Sequence, residues 1–142
     1  GTLQTYGWTT YIVSASPWWA IMPGARRLGV PREQVLAMNA EIRQGRLTRN
    51  LIPPITSGAG KVESVRTQMG ERPTIVAGNS VDDIPLLETA SELALLIDPD
   101  KNTTDEVDLR KLAEERGWWV HTTKTGSARS SLAREKHHIG SK

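Results

Sequence analysis

Three short polar clusters hold the side chains of this chain that could do chemistry. The first is Ser14-Ala15-Ser16, the second is Gly60-Lys61, and the third is the stretch 79–83, Asn-Ser-Val-Asp-Asp. Together they offer hydroxyl, ammonium, carboxylate and amide groups. Such a set suits an oxyanion with a hard divalent cation, because lysine gives point charge to a phosphate and Mg²⁺ prefers oxygen ligands. The clusters therefore predict a site for a phosphate group and Mg²⁺.

Each cluster taken alone also has an ordinary structural interpretation. Ser14 and Ser16 are common turn and helix-cap residues. Lys61 could be a solvated side chain at the start of a helix, although a cation there opposes the helix dipole. Asp82 and Asp83 could simply complement a helix dipole. Only the three clusters in combination favour a functional site.

The elements that position these clusters follow from hydrophobic periodicity. The pattern predicts strands at 8–13, 35–40, 73–77, 93–97 and 118–122, a hairpin at 40–52, and helices at 17–28, 61–69, 84–90 and 107–116. Pro23 and Gly24 are expected to kink or delay the first helix. Strands alternating with helices indicate a mainly parallel sheet covered on both faces, in which ligands bind beyond the carboxyl ends of the strands. Each polar cluster falls at such an end or just before a helix.

The composition excludes several classes of site. The chain has 142 residues, 37% of them hydrophobic, which suits a single globular domain. No apolar run approaches the roughly 20 residues that cross a bilayer, so no membrane association is expected. Zero cysteines exclude disulfides, thiolate zinc sites and cysteine nucleophiles, and they fit a cytoplasmic protein.

The net charge of +2 is concentrated at the C-terminal end. Residues 124–142 hold five Lys or Arg and one Glu, whereas residues 1–123 hold thirteen Lys or Arg and fifteen Asp or Glu. We therefore expect a core domain at 1–123 and a basic, poorly ordered tail at 124–142. The acid-leaning core has no nucleic-acid signature, so only the tail could favour such a partner.

Two nucleotide-binding motifs are approached and then missed. The stretch 55–62 approximates a phosphate-binding loop, but Ile55 and Val62 stand where the motif requires Gly and Ser or Thr. The glycines within 58–60 begin a dinucleotide fingerprint, but Glu63 occupies its third glycine position. Neither motif is therefore assigned.

Four stretches resemble, in order, motifs of the haloacid dehalogenase-like hydrolases, specifically the phosphoserine-phosphatase-like branch. They are 11–16 (YIVSAS), 39–54 with GRLT inside it, 60–62 (GKV) and 78–87 (GNSVDDIPLL). The last is the most specific, and the joint order and spacing carry the resemblance over about residues 8–120. The resemblance implies a three-layer Rossmann-like α/β fold, mainly parallel, with helices on both faces and a small β-hairpin insertion.

The resemblance also implies a phosphate-ester hydrolase that uses Mg²⁺ and an aspartyl-phosphate intermediate. Ser14 and the backbone of Ala15 would bind the phosphate together with Lys61. Ser14 and Lys61 would be the catalytic residues that this chain supplies. Lys61 would offset charge on the phosphoryl group, which is the main need of a phosphoryl-transfer transition state.

The metal ligands carry a first departure from the family pattern. The resemblance assigns Asn79 and Asp83 to Mg²⁺, directly or through water, with Ser80 and Asp82 in support. Asn79 stands where the family usually has Asp. An amide oxygen can still coordinate Mg²⁺, but one negative charge is lost, so we expect weaker cation binding.

A second departure concerns the nucleophile. The family's first motif, Asp-x-Asp-x-Thr or Val, should precede Ser14, yet the chain has no Asp before Asp82. The cap that selects the substrate is also absent. We therefore expect the C-terminal part of a larger phosphatase, inactive alone. The turn Asp98-Pro99-Asp100 superficially matches the first motif, with Asn102 where Thr or Val belongs, but the family also has an acidic turn there.

The missing motif predicts a structural defect. In the family its strand lies between the strands that end at Ser14 and Asn79, so its loss leaves two unpaired inner edges and exposed apolar faces. We expect a marginally stable chain, a homodimer through strand edges, or direct pairing of those two strands.

Three functions are compatible with the sequence. The first is a Mg²⁺-dependent phosphomonoesterase acting on a small phosphorylated metabolite. The second is a non-catalytic remnant that binds phosphate or a partner protein. The third and weakest is an accessory domain whose basic tail binds nucleic acid.

Overall fold

The computed structural model describes residues 2–101 and 106–123. Its helices and strands are α1 (Thr2–Thr5), β1 (Ile12–Pro17), α2 (Trp18–Arg27), β2 (Val35–Arg43), β3 (Arg46–Ile52), α3 (Ala59–Met69), β4 (Ile75–Gly78), α4 (Ile84–Leu87), β5 (Leu93–Ile97), α5 (Leu109–Arg116) and β6 (Trp119–His121). Short 3₁₀ turns lie at Arg32–Gln34, Val81–Asp83 and Pro99–Lys101. The expected tail at 124–142 and the residue Asn102 lie outside the described residues.

The strands form two three-stranded sheets, β1-β2-β3 and β4-β5-β6. The pairs β1/β2, β4/β5 and β5/β6 are parallel, and β2/β3 is an antiparallel hairpin. Its turn lies at Gln44 and Gly45, whose φ angles of 50° and 73° suit a two-residue hairpin turn. The mainly parallel α/β class and the hairpin predicted from the sequence are confirmed. Within the described residues β1 and β4 do not pair, so the sheet is not closed by direct strand pairing.

Several predicted boundaries move. The first strand begins at Ile12 instead of residue 8 and continues through Ser16 to Pro17, so Ser16 is not a helix cap. The following helix runs through Pro23 and Gly24 without ending. A proline inside a helix costs about 3 kcal/mol, and here the buried faces of Met22 and Ala25 offset that cost.

Because side chains alternate along β1 and β2, these two strands contribute residues to two separate hydrophobic cores, one on each face. Ile12 of β1 packs with α2 in the α2 core, which consists of Met22, Ala25, Val30, Val35 and Ala37. Val13 and Leu36, on the opposite face, pack against the central core of Val65, Val76, Leu86, Leu87, Leu96, Leu109 and Ala113. Because the central core also receives β4, β5 and three helices, apolar packing joins the two sheets where strand pairing does not.

The second sheet is covered on one face only. Val76 is 6% exposed in the central core, whereas its neighbour Ile75 is 42% exposed on the opposite face. Alternate residues of a strand point to opposite sides of the sheet. The register places Trp119 of β6 on the same face as Ile75, and Trp119 is 69% exposed there. The sequence-based expectation of exposed apolar faces is therefore met. Within the described ranges, no helix is both long and apolar enough to cross a membrane.

The two faces of β4 should differ sharply in their response to truncation. Val76→Ala should lower the free energy of unfolding by about 2 kcal/mol, because it leaves a cavity in the central core. Ile75→Ala is the matched control: it removes more atoms but should cost less than about 1 kcal/mol, since Ile75 is already 42% exposed and its loss leaves no closed cavity. Urea unfolding monitored by tryptophan fluorescence measures both values. A larger loss for Ile75→Ala would show that this face is covered in solution.

Candidate functional site

Lys61 is the centre of the candidate site. It lies in the first turn of α3, and its side chain is only 5% exposed. Its Nζ lies 2.6 Å from Asp82 Oδ2 and 2.6 Å from Asp83 Oδ1. The structure thus brings the second and third polar clusters of the sequence together in one ion cluster around a buried ammonium.

Asp83 is held by the loop that follows β4. Its Oδ2 accepts hydrogen bonds from Asn79 N at 2.9 Å, Ser80 N at 3.1 Å and Ser80 Oγ at 3.0 Å. Ser80 and Asp83 form a capping box at the 3₁₀ turn. Gly78 permits this approach, because a Cβ there would lie 2.6 Å from the Asp83 Cβ. Ser80 therefore holds the Asp83 carboxylate in place, and its supporting role at a metal site stays a prediction.

Asp82 performs a different task. Its Oδ1 accepts hydrogen bonds from Ser57 Oγ at 2.6 Å and from Gly58 N at 2.7 Å, at the start of α3. The carboxylate is thus an anionic cap supplied to α3 from another segment, which suits the positive end of the helix dipole. Its Oδ2 is buried and faces Lys61, but it has no hydrogen bond of good geometry. The negative charges of Asp82 and Asp83 thus offset the unfavourable interaction between the Lys61 ammonium and the positive end of the α3 dipole.

The cluster is ionised over a wide pH range. Burial by itself disfavours the Lys61 ammonium, but the hydrogen bond that it donates to Asp83 and the negative charges of Asp82 and Asp83 outweigh burial and raise the pKa of Lys61. Burial likewise disfavours both carboxylates, yet Lys61 and the surrounding donors hold the pKa of Asp82 and of Asp83 below the usual range. All three groups are therefore charged at neutral pH.

Ser14 is linked to this cluster by residues 53–58, to which the sequence motifs assign no role in the site. Thr56 is only 2% exposed, and its Oγ1 donates a hydrogen bond to Ser14 O at 2.6 Å. The next residues, Ser57 and Gly58, contact Asp82 as described above. The structure gives no direct contact between Ser14 and Lys61 within the described residues. The bridging segment, residues 53–58, is what links them.

The bridging segment carries sequence signals that could have drawn attention to it. The Pro53-Pro54 bond is cis. Gly58 has φ 50° and ψ −124°, a conformation that glycine adopts readily. A Cβ on Gly60 would lie 1.8 Å from Ile55 O, so no other residue fits there without a shift of the backbone. Proline pairs and closely spaced glycines before a helix indicate such a specially folded connection.

Ser14 retains a free hydrogen-bond donor. Its Oγ accepts a hydrogen bond from Ser16 N at 3.1 Å, and its hydroxyl hydrogen has no acceptor within the described residues. The regular register of β1 with β2 ends at Ser14↔Ala37 and resumes at Pro17↔Met38. Ala15 and Ser16 therefore bulge out of the ladder, and such bulges commonly lie beside binding sites.

The donor types at the end of β4 fit Mg²⁺. Asn79 is exposed immediately after β4 and offers an amide oxygen, while Asp83 offers a carboxylate that Lys61 shares. Mg²⁺ is often held by only one or two carboxylates with water and substrate. No group of three His, Cys, Asp or Glu side chains that could hold a metal is found among residues 2–101 and 106–123. The assignment of Asn79 and Asp83 to the metal stays a prediction.

Asp98 is committed to a turn. Its Oδ1 accepts a hydrogen bond from Thr123 N at 2.7 Å, and its Oδ2 pairs with Lys101 Nζ at 3.1 Å and with the Thr123 hydroxyl. Its own N–H donates to His121 O at 2.8 Å. These bonds tie the end of β5 to the end of β6, which supports the interpretation of 98–100 as an acidic turn.

Comparisons with known proteins give one family. A family model described as haloacid dehalogenase-like hydrolase matches residues 2–88. A Mycobacterium leprae protein is 29% identical to this chain over 124 residues, and its provisional name is hydrolase. That match covers 84% of this chain and 38% of the other protein.

Solved structures share the fold. A protein of unknown function from Bordetella pertussis has a TM-score of 0.70 at 26% identity over 82% of this chain and 52% of its own. A functionally unknown protein from Anaerococcus prevotii has a TM-score of 0.71 at 25% identity over 84% of this chain and 35% of its own. A phosphoserine phosphohydrolase-like protein from Francisella tularensis has a TM-score of 0.59 at 18% identity, over 84% of this chain and 54% of its own. The chain spans less than two thirds of the length of each relative.

Removal of the buried ammonium should destabilise the fold strongly. Lys61→Met keeps the length of the side chain but leaves two carboxylates facing each other without a counter-ion. We expect the free energy of unfolding at neutral pH to fall by about 3 kcal/mol, as for other broken buried pairs. Urea denaturation at pH 7 measures the loss, and an unchanged midpoint would contradict the central place of this ion cluster.

The pH dependence of that variant provides its control. The folded-state pKa values of Asp82 and Asp83 are lowered, so the stability they contribute is present above about pH 4 and is lost as the pH falls through the lowered values. Lys61, with its raised pKa, loses its contribution only at alkaline pH. The difference between wild type and Lys61→Met should therefore shrink below about pH 4. A difference that stays constant into acid would point to lost packing instead of lost charge.

Proposed function

This chain belongs to the haloacid dehalogenase-like hydrolase family, and on that premise we propose that it supplies the phosphate-binding half of a phosphomonoester hydrolase. The observation that carries the proposal is the bridging segment, which fixes Ser14 and the Lys61 cluster relative to each other. The segment thus links two groups that the resemblance assigns to phosphate, and this link supports the proposal. The proposed substrate is a small phosphorylated metabolite.

Ser14 and Lys61 play different parts in this proposal. The free hydroxyl hydrogen of Ser14 donates to a phosphate oxygen. Lys61 places a permanent positive charge near the phosphoryl group, because its carboxylate partners keep it protonated. A phosphoryl-transfer transition state needs such positioning and charge stabilisation more than covalent chemistry from the protein.

Charge balance supports a role for Mg²⁺. Lys61, Asp82 and Asp83 together carry one net negative charge, which by itself repels a phosphate dianion. Asn79 and Asp83 would hold the metal, and Mg²⁺ bound there would reverse the local charge and neutralise phosphate oxygens. In this proposal Asp82 keeps its structural task at the start of α3, where its Oδ1 accepts hydrogen bonds from Ser57 and Gly58.

The covalent step needs an aspartate that is free to attack phosphorus. Asp82 and Asp83 are paired with Lys61, and Asp98 is tied to Thr123 and Lys101. In this proposal the nucleophile of an aspartyl-phosphate mechanism comes from a first motif that the 142 residues do not contain ahead of Ser14. This observation also favours the second candidate, in which the chain binds phosphate or a partner protein without catalysis. A cytoplasmic location and a homodimer through strand edges stay predictions.

Hydrolysis of p-nitrophenyl phosphate in the presence of MgCl₂ tests the proposal. The 142-residue chain should be inactive, whereas an extended protein, in which a segment carrying the family's first motif is joined ahead of Gly1, should turn over. In the extended protein, Ser14→Ala should lower kcat/KM by about tenfold to a hundredfold, because one donor to the phosphoryl oxygens is lost. Ser91→Ala, at an exposed serine before β5, is the control and should leave kcat/KM unchanged. An extended protein without any activity would favour the non-catalytic function.

Metal affinity provides a readout that does not depend on turnover. Asn79→Asp adds a carboxylate at the proposed metal position and should tighten Mg²⁺ binding by about tenfold. Isothermal titration calorimetry with MgCl₂ measures the affinity. Asn39→Asp, at an exposed position of β2, adds the same charge elsewhere and is the control. Equal affinities for Asn79→Asp and wild type, or an equal gain for Asn39→Asp, would overturn the metal assignment.

A further inference from the structure

Thr56 is a buried polar residue that no motif of the sequence includes. It is 2% exposed, and its hydroxyl donates to the main-chain oxygen of Ser14, 42 residues away in sequence, at 2.6 Å. It lies between the cis Pro53-Pro54 bond and the residues that contact Asp82. A buried hydroxyl of this kind can contribute to stability alone. Whether it also acts on the site depends on the position of the carbonyl oxygen that accepts its hydrogen bond.

The accepted bond falls on the first peptide of the β1 bulge. The Ser14–Ala15 peptide follows the last residue in regular register with β2. A peptide unit is planar, and in the trans form its N–H points opposite to its C=O. By fixing the Ser14 carbonyl, Thr56 therefore also fixes the direction of the Ala15 N–H. Those two residues are the ones assigned to phosphate.

The neighbours of Thr56 fix the other half of the site. Ser57 Oγ and Gly58 N hold Asp82 at 2.6 Å and 2.7 Å, and Asp82 in turn holds Lys61 at 2.6 Å. Three consecutive residues thus contact the end of β1 on one side and the ion cluster on the other. This segment is therefore a hydrogen-bonded link between Ser14 and the partners of Lys61, in addition to the apolar packing that joins the two sheets.

We propose that Thr56 is a positioning residue for phosphate, which holds the Ser14–Ala15 peptide at the spacing from Lys61 that an oxyanion requires. The inference rests on the proposed function and adds to it a residue that does not itself touch phosphate. Loss of the hydroxyl frees the bulge to rotate, and phosphate binding must then supply the ordering that Thr56 provided.

Two substitutions separate the hydrogen bond from packing. Thr56→Val keeps the shape and loses the hydroxyl, and it should weaken binding of inorganic phosphate by about tenfold, equivalent to about 1.4 kcal/mol. Thr56→Ser keeps the hydroxyl and loses a methyl group, so it should restore the affinity to within about twofold of wild type. Affinity is measured on the full chain by amide NMR titration with inorganic phosphate in MgCl₂.

Ser64→Ala is the matched control. Ser64 is also buried, at 4% exposed, and its Oγ donates to a main-chain oxygen, that of Gly60, at 2.8 Å. Its loss should lower the Tm about as much as Thr56→Val does, yet leave the phosphate affinity unchanged. Equal affinities for Thr56→Val and wild type, or equal losses for Thr56→Val and Ser64→Ala, would overturn the inference.

Two further results of the same NMR titration also test the inference. In wild type, the amide signals of Ala15 and Thr56 should move with the same phosphate dependence, even if Thr56→Val fails to fold. Movement at Lys61 without movement at Thr56 would overturn the inference while leaving the proposed function intact. A wild-type chain that shows no phosphate binding would overturn the proposed phosphate site and the role of Thr56 with it.

Discussion

A single buried cation organises this molecule. Removing an ammonium group from water costs several kcal/mol unless partners at short distance replace the lost hydration. Lys61 meets that requirement with two carboxylates, each 2.6 Å away. The carboxylates in turn need donors of their own, which the loops around them supply. The start of α3, the end of β4 and the 3₁₀ turn between β4 and α4 are therefore fixed together by one charge.

The connection between the two sheets depends on the same constraint. Apolar packing of Val13 and Leu36 against the central core brings the sheets together, but packing is non-directional and sets no particular register. Hydrogen bonds of the bridging segment add the direction. Thr56 contacts the first sheet at Ser14. Gly58 contacts Asp82, which lies in the 3₁₀ turn that follows β4 of the second sheet. The site lies where these two contacts meet.

Much of the fold was predictable because it depends on neighbouring residues. The continuous apolar run LALLI predicted β5 at its observed bounds, and Gly70 and Gly117 ended α3 and α5 in left-handed conformations at the predicted places. The start of β1 and the length of α4 were predicted less well. Trp8 to Tyr11 have a β-type composition but no strand beside them, and composition alone cannot supply a pairing partner.

The candidate site was predictable in its residue types and only partly in its contacts. The sequence by itself determined that Lys61 falls at the start of a helix and that Asn79 and Asp83 follow a strand, because hydrophobic period and turn residues are local properties. It placed Ser14 just after a strand, whereas β1 continues to Pro17. Only the tertiary structure decided that Lys61 pairs with both aspartates and that Thr56 reaches Ser14. Those contacts join residues 21 to 42 positions apart. Such contacts form only after the central core has brought the segments together, so no local pattern encodes them.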